Sequence, residues 1–396
     1  MFTSQPIASL SGALALAIAL AAFGPAAAAQ PFEIPVMISQ TGAAAFLGKE
    51  QRESYAILER VVNASGGVRG RPLHFAYYDD QSSPQVGLQI VHDLIAKNAT
   101  AIIGSSFAQV CAAVAPIVNK SGPVLYCLSP GIHPNAGSYV FASSVSTRDI
   151  VSVMFRYLRE HGWTNVAFIT SIDQTGQDFE RAFDAALAAR ENKAMTVTAR
   201  EHFAPGDISV DAQVARLKAA APQAIFAWSV GTPFGTLLRG INQAGLNVPV
   251  LSSNGNMIRE QLDQYADFIP KQLYFPGTTA LVPGTIGPGP IRAKQAAFYK
   301  AFAAAGNRHP DNPNNTAWDP AMIVIDAYRH LGTDAGAEAI RNYIHGQHGW
   351  IGINGVYDYG DPEQRGIGAA ALVIYRYDGK QRRFTAESGL GGVKRR

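Results

Sequence analysis

The stretch over residues 101–134, AIIGSSFAQVCAAVAPIVNKSGPVLYCLSPGIHP, constrains this chain most. Residues 101–103 are a short apolar run stopped by Gly104, too short for a helix. Val110, Val114 and Ile117 then recur at helical spacing. Gly122 and Pro123 close that helix, and residues 124–128 form a second apolar run. Strand, loop, helix, strand, loop is the order that two parallel strands and a crossover helix require. In open α/β sheets, ligands bind where the carboxyl ends of the strands run into the following loops. Those loops are 104–108 and 129–134 here, carrying Ser105, Ser106, Phe107, Ala108, Ser129, Gly131 and His133. They are either ordinary turns or a binding edge, and free N–H groups at a helix start suit an anion such as a carboxylate.

The same alternation extends in both directions. A strand over 32–38, a turn at Ser39-Gln40-Thr41-Gly42, a helix over 48–65 and a strand over 73–78 come first. Ser83 caps a helix with Pro84 at its first position, where a missing N–H costs nothing. A short strand at 139–142 and a helix from Thr147 follow, and then the pattern restarts. Strands are expected at 165–172, 195–201, 224–228 and 248–252, with helices over 179–190, from Val210, and over 234–244. A strand at 272–275, a Pro- and Gly-rich loop at 281–290, helices near 290–305, 319–331 and 335–345, and a last strand at 369–377 complete the chain. The chain beyond Phe384 reads as a disordered tail. Regular alternation predicts an α/β protein with parallel sheets covered by helices on both faces. The restart near 148 predicts two lobes of similar design.

The chain's 396 residues suffice for two domains, and 47% hydrophobic content can fill their cores. Charged residues make up only 16%, against roughly 25% in an average domain, and the net charge of +3 is scattered, so no nucleic-acid partner is expected. Residues 1–29 carry no charged side chain, and the apolar run at 13–23 is too short to span a bilayer. With Ala27-Ala28-Ala29 before Gln30, this segment reads as a signal peptide cleaved after Ala29, giving an exported, soluble periplasmic protein.

Cys111 and Cys127 are the only cysteines. They can form a disulfide or remain two buried thiols, and the thiol reading is favoured because geometry, which spacing does not fix, decides pairing. No CxxC or Cys/His cluster occurs, so no metal or cofactor is expected. Asp79-Asp80 reads as a structural turn rather than a catalytic pair, since no partner group lies nearby in sequence. Ala227-Trp228-Ser229-Val230-Gly231 resembles a nucleophile elbow, making an exported serine hydrolase, with Ser229 served by Asp326 and His345 or His348, the alternative function. Against it, Ala227 stands where glycine is usual and Pro233 sits where the elbow helix begins.

Longer segments carry a resemblance. ISQTGAAAFLGKEQRESYAI (38–57), NASGGVRGRPLHFAYYDDQSSPQVG (63–87), TSIDQTGQDF (170–179) and LLRGINQAGLNVPVLSSNG (237–255), with the two loops above, cover most of the chain. They resemble the periplasmic solute-binding proteins of ABC uptake transporters, in the branched-chain amino-acid (Leu/Ile/Val-binding) family. The resemblance implies the type I periplasmic-binding fold: two lobes joined by three crossings, here near 146–148, 275–278 and 365–369. Lobe one then comprises 31–147 and 277–366, lobe two 148–276 and 367–390, with a tail over 391–396. It also implies a monomer that does no chemistry, closes on a small molecule and docks on an ABC permease.

In the family, the loops matching 105–108 and 131–133 hold a ligand carboxylate. A hydroxyl is usual where Ala108 stands, leaving Ser105, Ser106 or backbone N–H groups as substitutes. A Thr is common at His133 and a Tyr at Thr175. The acid that pairs an α-ammonium is replaced by Asn254, although Asp173 could take its place. Phe46, Phe107 and Trp228 offer apolar surface. These departures favour a small, apolar carboxylate over a zwitterionic amino acid, which remains the runner-up.

Overall fold

The computed structural model describes residues 1–4, 30–306 and 309–395, so the expected leader lies almost wholly outside the described residues. Strands β1 (Phe32–Ile38), β2 (Leu73–Asp79), β3 (Ala101–Ile103), β4 (Val124–Cys127) and β5 (Val140–Ala142) form a parallel sheet in the order β2-β1-β3-β4-β5. Helices α1 (Ala45–Ala64), α2 (Pro84–Ala96) and α3 (Ala108–Val118) connect them. Side chains alternate across a strand. On β1, Ile34, Val36 and Ile38 therefore join one core with Tyr55 and Leu58 of α1, and Met37 joins another with Val91 of α2 and Val110 of α3. Each face is apolar, as burial on both sides demands.

The chain then leaves this sheet through α4 (Thr147–Glu160) and builds a second one. In chain order its elements are β6 (Asn165–Ser171), α5 (Gln174–Ala188), β7 (Thr196–Phe203), α6 (Asp211–Ala219), β8 (Ala224–Trp228), α7 (Thr232–Gln243), β9 (Val250–Leu251), α8 (Arg259–Gln264) and β10 (Leu273–Thr278). After β10 the chain returns to the first unit with α9 (Pro290–Gly306), α10 (Asn312–Leu331), α11 (Ala337–His345) and a hairpin of β11 (His348–Ile351) and β12 (Val356–Asp358). A third passage leads to β13 (Leu372–Asp378) and β14 (Arg383–Ala386). The second sheet runs β14-β13-β10-β9-β8-β6-β7. On β6, Val166 and Phe168 face α4 and α5, whereas Ala167 and Ile169 face α6 and α7.

Several expectations need correction. The second sheet is not wholly parallel: β13 and β14 run antiparallel to β10 and to each other at one edge. The expected last strand begins three residues late, since residues 369–371 form a short 3-10 turn. The segment after Phe384 is not a loose tail, because Thr385 and Ala386 continue β14 against Arg376 and Tyr375 of β13. Gly391 and Gly392 are buried, with Arg156 donating to the Gly391 carbonyl. Helix α10 starts at Asn312, not near Asp319; Asp311 and Asn314 close a capping box around Pro313 in its first turn.

Cys111 and Cys127 form a disulfide, overturning the thiol reading. The first turn of α3 lies over the end of β4, and their Cα atoms stand 6.2 Å apart, within bridging distance. The bridge pins the start of α3 to the sheet edge. Replacing both cysteines by alanine is expected to lower stability by about 3 kcal/mol in urea unfolding, as for opening a closed loop of this order of length. An unchanged unfolding midpoint would contradict that role.

Candidate functional site

Most of the parallel strands are followed by a helix and β4 by a loop, so the carboxyl ends of both sheets carry loops and helix starts. The two edges face each other across a cleft. From the first unit it is walled by Leu47 and Gln51 of α1, residues 106–108 and 128–131, and the first turns of α4 and α10. Thr175, Trp228, Val230 and residues 253–255 close it from the second unit.

The loop after β3 is forced tight against β1. Gly104 has φ +112°, and a Cβ there would lie 1.8 Å from the Met37 carbonyl oxygen. Ser105 is buried, its hydroxyl accepts the Phe107 N–H at 3.1 Å, and its carbonyl accepts Leu128 N–H at 2.9 Å. Ser105 therefore organises the loop and does not line the cleft. Ser106 does line it, and its hydroxyl accepts a hydrogen bond from the Gln51 amide. Phe107 is the residue preceding α3, followed by Ala108 at the first helical position; no side chain caps this helix.

The Asp79-Asp80 pair is structural, as expected. Asp79 accepts N–H groups of Gln40 (2.8 Å), Thr41 and Gln81, which together hold its carboxyl below the usual range against the opposing effect of burial. Burial pushes Asp80 up despite bonds from the Ser39 hydroxyl (2.6 Å) and Ser82 N–H.

Of the residues singled out by sequence, Ser106, Phe107, Ala108, Gly131, Thr175, Trp228 and Asn254 share the cleft wall. Trp228 stacks one face on Phe179, with centroids 4.5 Å apart and 20° between planes, so that face is committed to the core. Phe46 lies outside, in a surface hollow with Lys49, Arg52 and Glu260. Asp173 precedes α5, where its carboxylate accepts the Gly176 N–H (3.1 Å) and the Ser171 hydroxyl (2.8 Å). His133 sits behind the wall: its Nε2 meets Asp178 Oδ1 at 2.8 Å and its Nδ1 lies 3.7 Å from Glu363. Gly131 lets that carboxylate approach, since a Cβ there would lie 3.3 Å from Asp178 Oδ2.

Gln51, Thr147, Asn312, Pro313 and Thr316 also line the cleft, and sequence reasoning did not select them. The Asp311-Asn312-Pro313 start signal could have exposed the α10 residues.

No Asp, Glu, Lys, Arg or His is among the residues lining the cleft. Its electrostatics come from helix ends. Five helices, α1, α3, α4, α5 and α10, begin at the wall, and the Ala45 and Leu47 N–H groups of α1 are taken by the Gly42 and Ala44 carbonyls. Two are already balanced by acidic side chains, Asp173 on α5 and Asp311 on α10. Helix α4 has the neutral cap Ser146, whose hydroxyl accepts Asp149 N–H at 3.1 Å, and the acidic Asp149 in its first turn, whereas α3 has neither a side-chain cap nor a first-turn acid. First-turn N–H groups lack intrahelical acceptors and carry partial positive charge. The start of α3 thus offers an anion the best uncontested position.

The elbow at Ser229 does not assemble a triad. Its hydroxyl is buried without a hydrogen-bond partner among the described residues, Asp326 accepts from the Trp350 indole, and His348 pairs with Asp358.

Comparisons agree with this architecture. A family model described as periplasmic binding protein matches residues 31–381. A Leu/Ile/Val-binding protein homolog 3 from Brucella melitensis is 23% identical over 227 residues, 56% of this chain and 61% of that relative, so the match spans less than two thirds of its length. An extracellular ligand-binding receptor from Rhodopseudomonas palustris HaA2 superposes with a TM-score of 0.78 at 21% identity, covering 90% of this chain and 99% of that one. A leucine binding protein from Thermotoga maritima does so at 0.77 and 18%, covering 90% and 98%. The two-lobed α/β fold, its cleft between facing sheet edges and the match over residues 31–381 place this chain in the periplasmic binding protein family.

Proposed function

We propose that this protein is the periplasmic substrate-binding component of an ABC uptake transporter and that it captures a small carboxylate between its lobes without chemistry. One observation carries the ligand class: the cleft wall has no charged side chain, but the uncapped start of α3 opens onto it. A carboxylate there accepts backbone N–H groups. An α-ammonium would find no acid on the wall, and burying an unpaired charge is costly. Asp173, the candidate substitute, is engaged in capping α5. Phe107, Leu47 and Val230 suit an alkyl or aromatic body.

Export by a leader removed after Ala29, action as a monomer and delivery to a permease complete the reading. Its lobes are 31–147 with 277–366 and 148–276 with 367–390, hinged at the passages near 146–148, 275–278 and 365–369. Support for a closing motion comes from contacts between the units: Thr232 N–H to the Ala43 carbonyl at 3.3 Å, Asn312 to the Asn254 carbonyl at 3.1 Å, and His133 with Asp178. An exposed Lys49–Glu260 pair adds little, as exposed pairs contribute about 0–1 kcal/mol. A ligand seated between the units would stabilise this arrangement over an open one.

Calorimetry of the mature protein with benzoate, 4-methylpentanoate, phenylalanine and leucine tests the ligand class. At least one simple acid should bind as tightly as either amino acid, and at a hundredfold excess over Kd it should add about 2.7 kcal/mol of stability. Tight leucine binding with no response to any simple acid would overturn the carboxylate reading.

The Asp178 contact gives a pH prediction. Burial raises the Asp178 pKa, but hydrogen bonds from His133 and Thr147, the His133 charge and Arg181 outweigh it and bring the carboxyl below its ordinary 3.8. An acid with a lowered folded pKa stabilises the fold above its unfolded value, and that contribution is lost as pH falls through the folded value. Asp178→Asn should therefore cost about 1–3 kcal/mol at pH 7. It should also flatten the fall in unfolding midpoint below about pH 4. Identical acid limbs for the variant and the wild type would contradict this.

A further inference from the structure

Gln51 is a cleft-lining residue with an unusual hydrogen-bond balance. It lies on α1, 1% exposed, where α10 packs beside it: Ser54 donates to the Asn314 carbonyl at 2.9 Å, and the Asn314 amide donates to the Glu50 carbonyl. Its Nε2 donates to the Ser106 hydroxyl. Its Oε1 is buried and has no hydrogen-bond partner among the described residues. A buried amide carbonyl left unpaired is costly, and a ligand donor would relieve that cost.

The position of this acceptor limits what it can read. Ser106 directly precedes Phe107, after which α3 begins with its N–H groups uncapped. A hydroxyl donates one hydrogen bond while accepting others. Because Ser106 accepts from Gln51, its own O–H is free to donate toward a carboxylate held at the start of α3. The Gln51 amide stands next to Ser106 on the same wall, so a hydroxyl on the carbon beside that carboxylate would come within reach of its carbonyl. The donor required there is neutral, since an ammonium would meet no acid on the wall.

We propose that Gln51 is a specificity-determining residue and that the ligand class is a 2-hydroxy carboxylic acid, whose hydroxyl donates to Gln51 Oε1. This rests on the reading that the cleft holds a carboxylate. A site built to hydrogen-bond a hydroxyl rejects the analogue that lacks it, because the buried acceptor is then left unpaired.

The test is calorimetry with two matched pairs of probes: 2-hydroxy-4-methylpentanoate against 4-methylpentanoate, and mandelate against phenylacetate. In the wild type, the hydroxy acid of the better-binding pair should bind at least about tenfold tighter than its partner. In Gln51→Met, which keeps length and removes the acceptor, that ratio should fall to near one. If Gln51→Met does not fold, Gln51→Asn, which retracts the amide by one methylene, should show the same loss of ratio. Equal binding of both members by the wild type would overturn the 2-hydroxy assignment while leaving the carboxylate reading intact. A tenfold ratio that persists in the folded variant would overturn the role of Gln51. No binding of any of the four acids would overturn both this proposal and the carboxylate reading.

Discussion

The polarity of a parallel strand followed by its crossover helix governs this molecule. Each such unit sends a strand's carboxyl end and a helix's amino end to the same edge of the sheet. With two sheets facing edge to edge, the loops after β3, β4, β5, β8 and β9 and residues of α1 and α5 are delivered to one cleft. Polar N–H groups thus gather where the apolar faces of the sheets end. The cleft needs no charged side chain to favour an anion, only helix starts that are not already capped by acids. Asp173 and Asp311 neutralise two of the five, and α3 is left open.

The same loops are braced from behind. Asp79 and Asp80 tie the 39–42 turn to the end of β2, and the Cys111–Cys127 bridge fixes α3 to β4. Arg365, fully buried in the third passage, donates to the Ser144 and Ile132 carbonyls, linking that passage to the first. Burial lowers its pKa, with Glu363 foremost among the acids opposing that effect.

Much of this was legible in the chain. The 101–134 stretch shows its strand, loop and helix because small polar residues interrupt two apolar runs, and its loops do line the cleft. The departures at Ala108, Thr175 and Asn254 were visible as missing hydroxyl, ring and acid. Other features depend on tertiary approach. His133 and Asp173 occupy the right loops but turn to Asp178 and the α5 backbone. The disulfide depends on how α3 settles on β4, and the start of α10 was obscured by Pro320, which lies inside the helix. Gln51 stands in the polar run KEQRES and looks like a solvated helix face; only the packing of α10 and the 106–108 loop buries it.

The most direct measurement is a crystal structure of the mature protein with the acid that raises its melting temperature most. The carboxylate oxygens should lie 2.7–3.1 Å from the N–H groups at the start of α3 and from the Ser106 hydroxyl, with no Lys, Arg or His side chain in contact. A carboxylate held by a charged side chain, or bound outside the cleft, would contradict an anion site built from helix geometry alone.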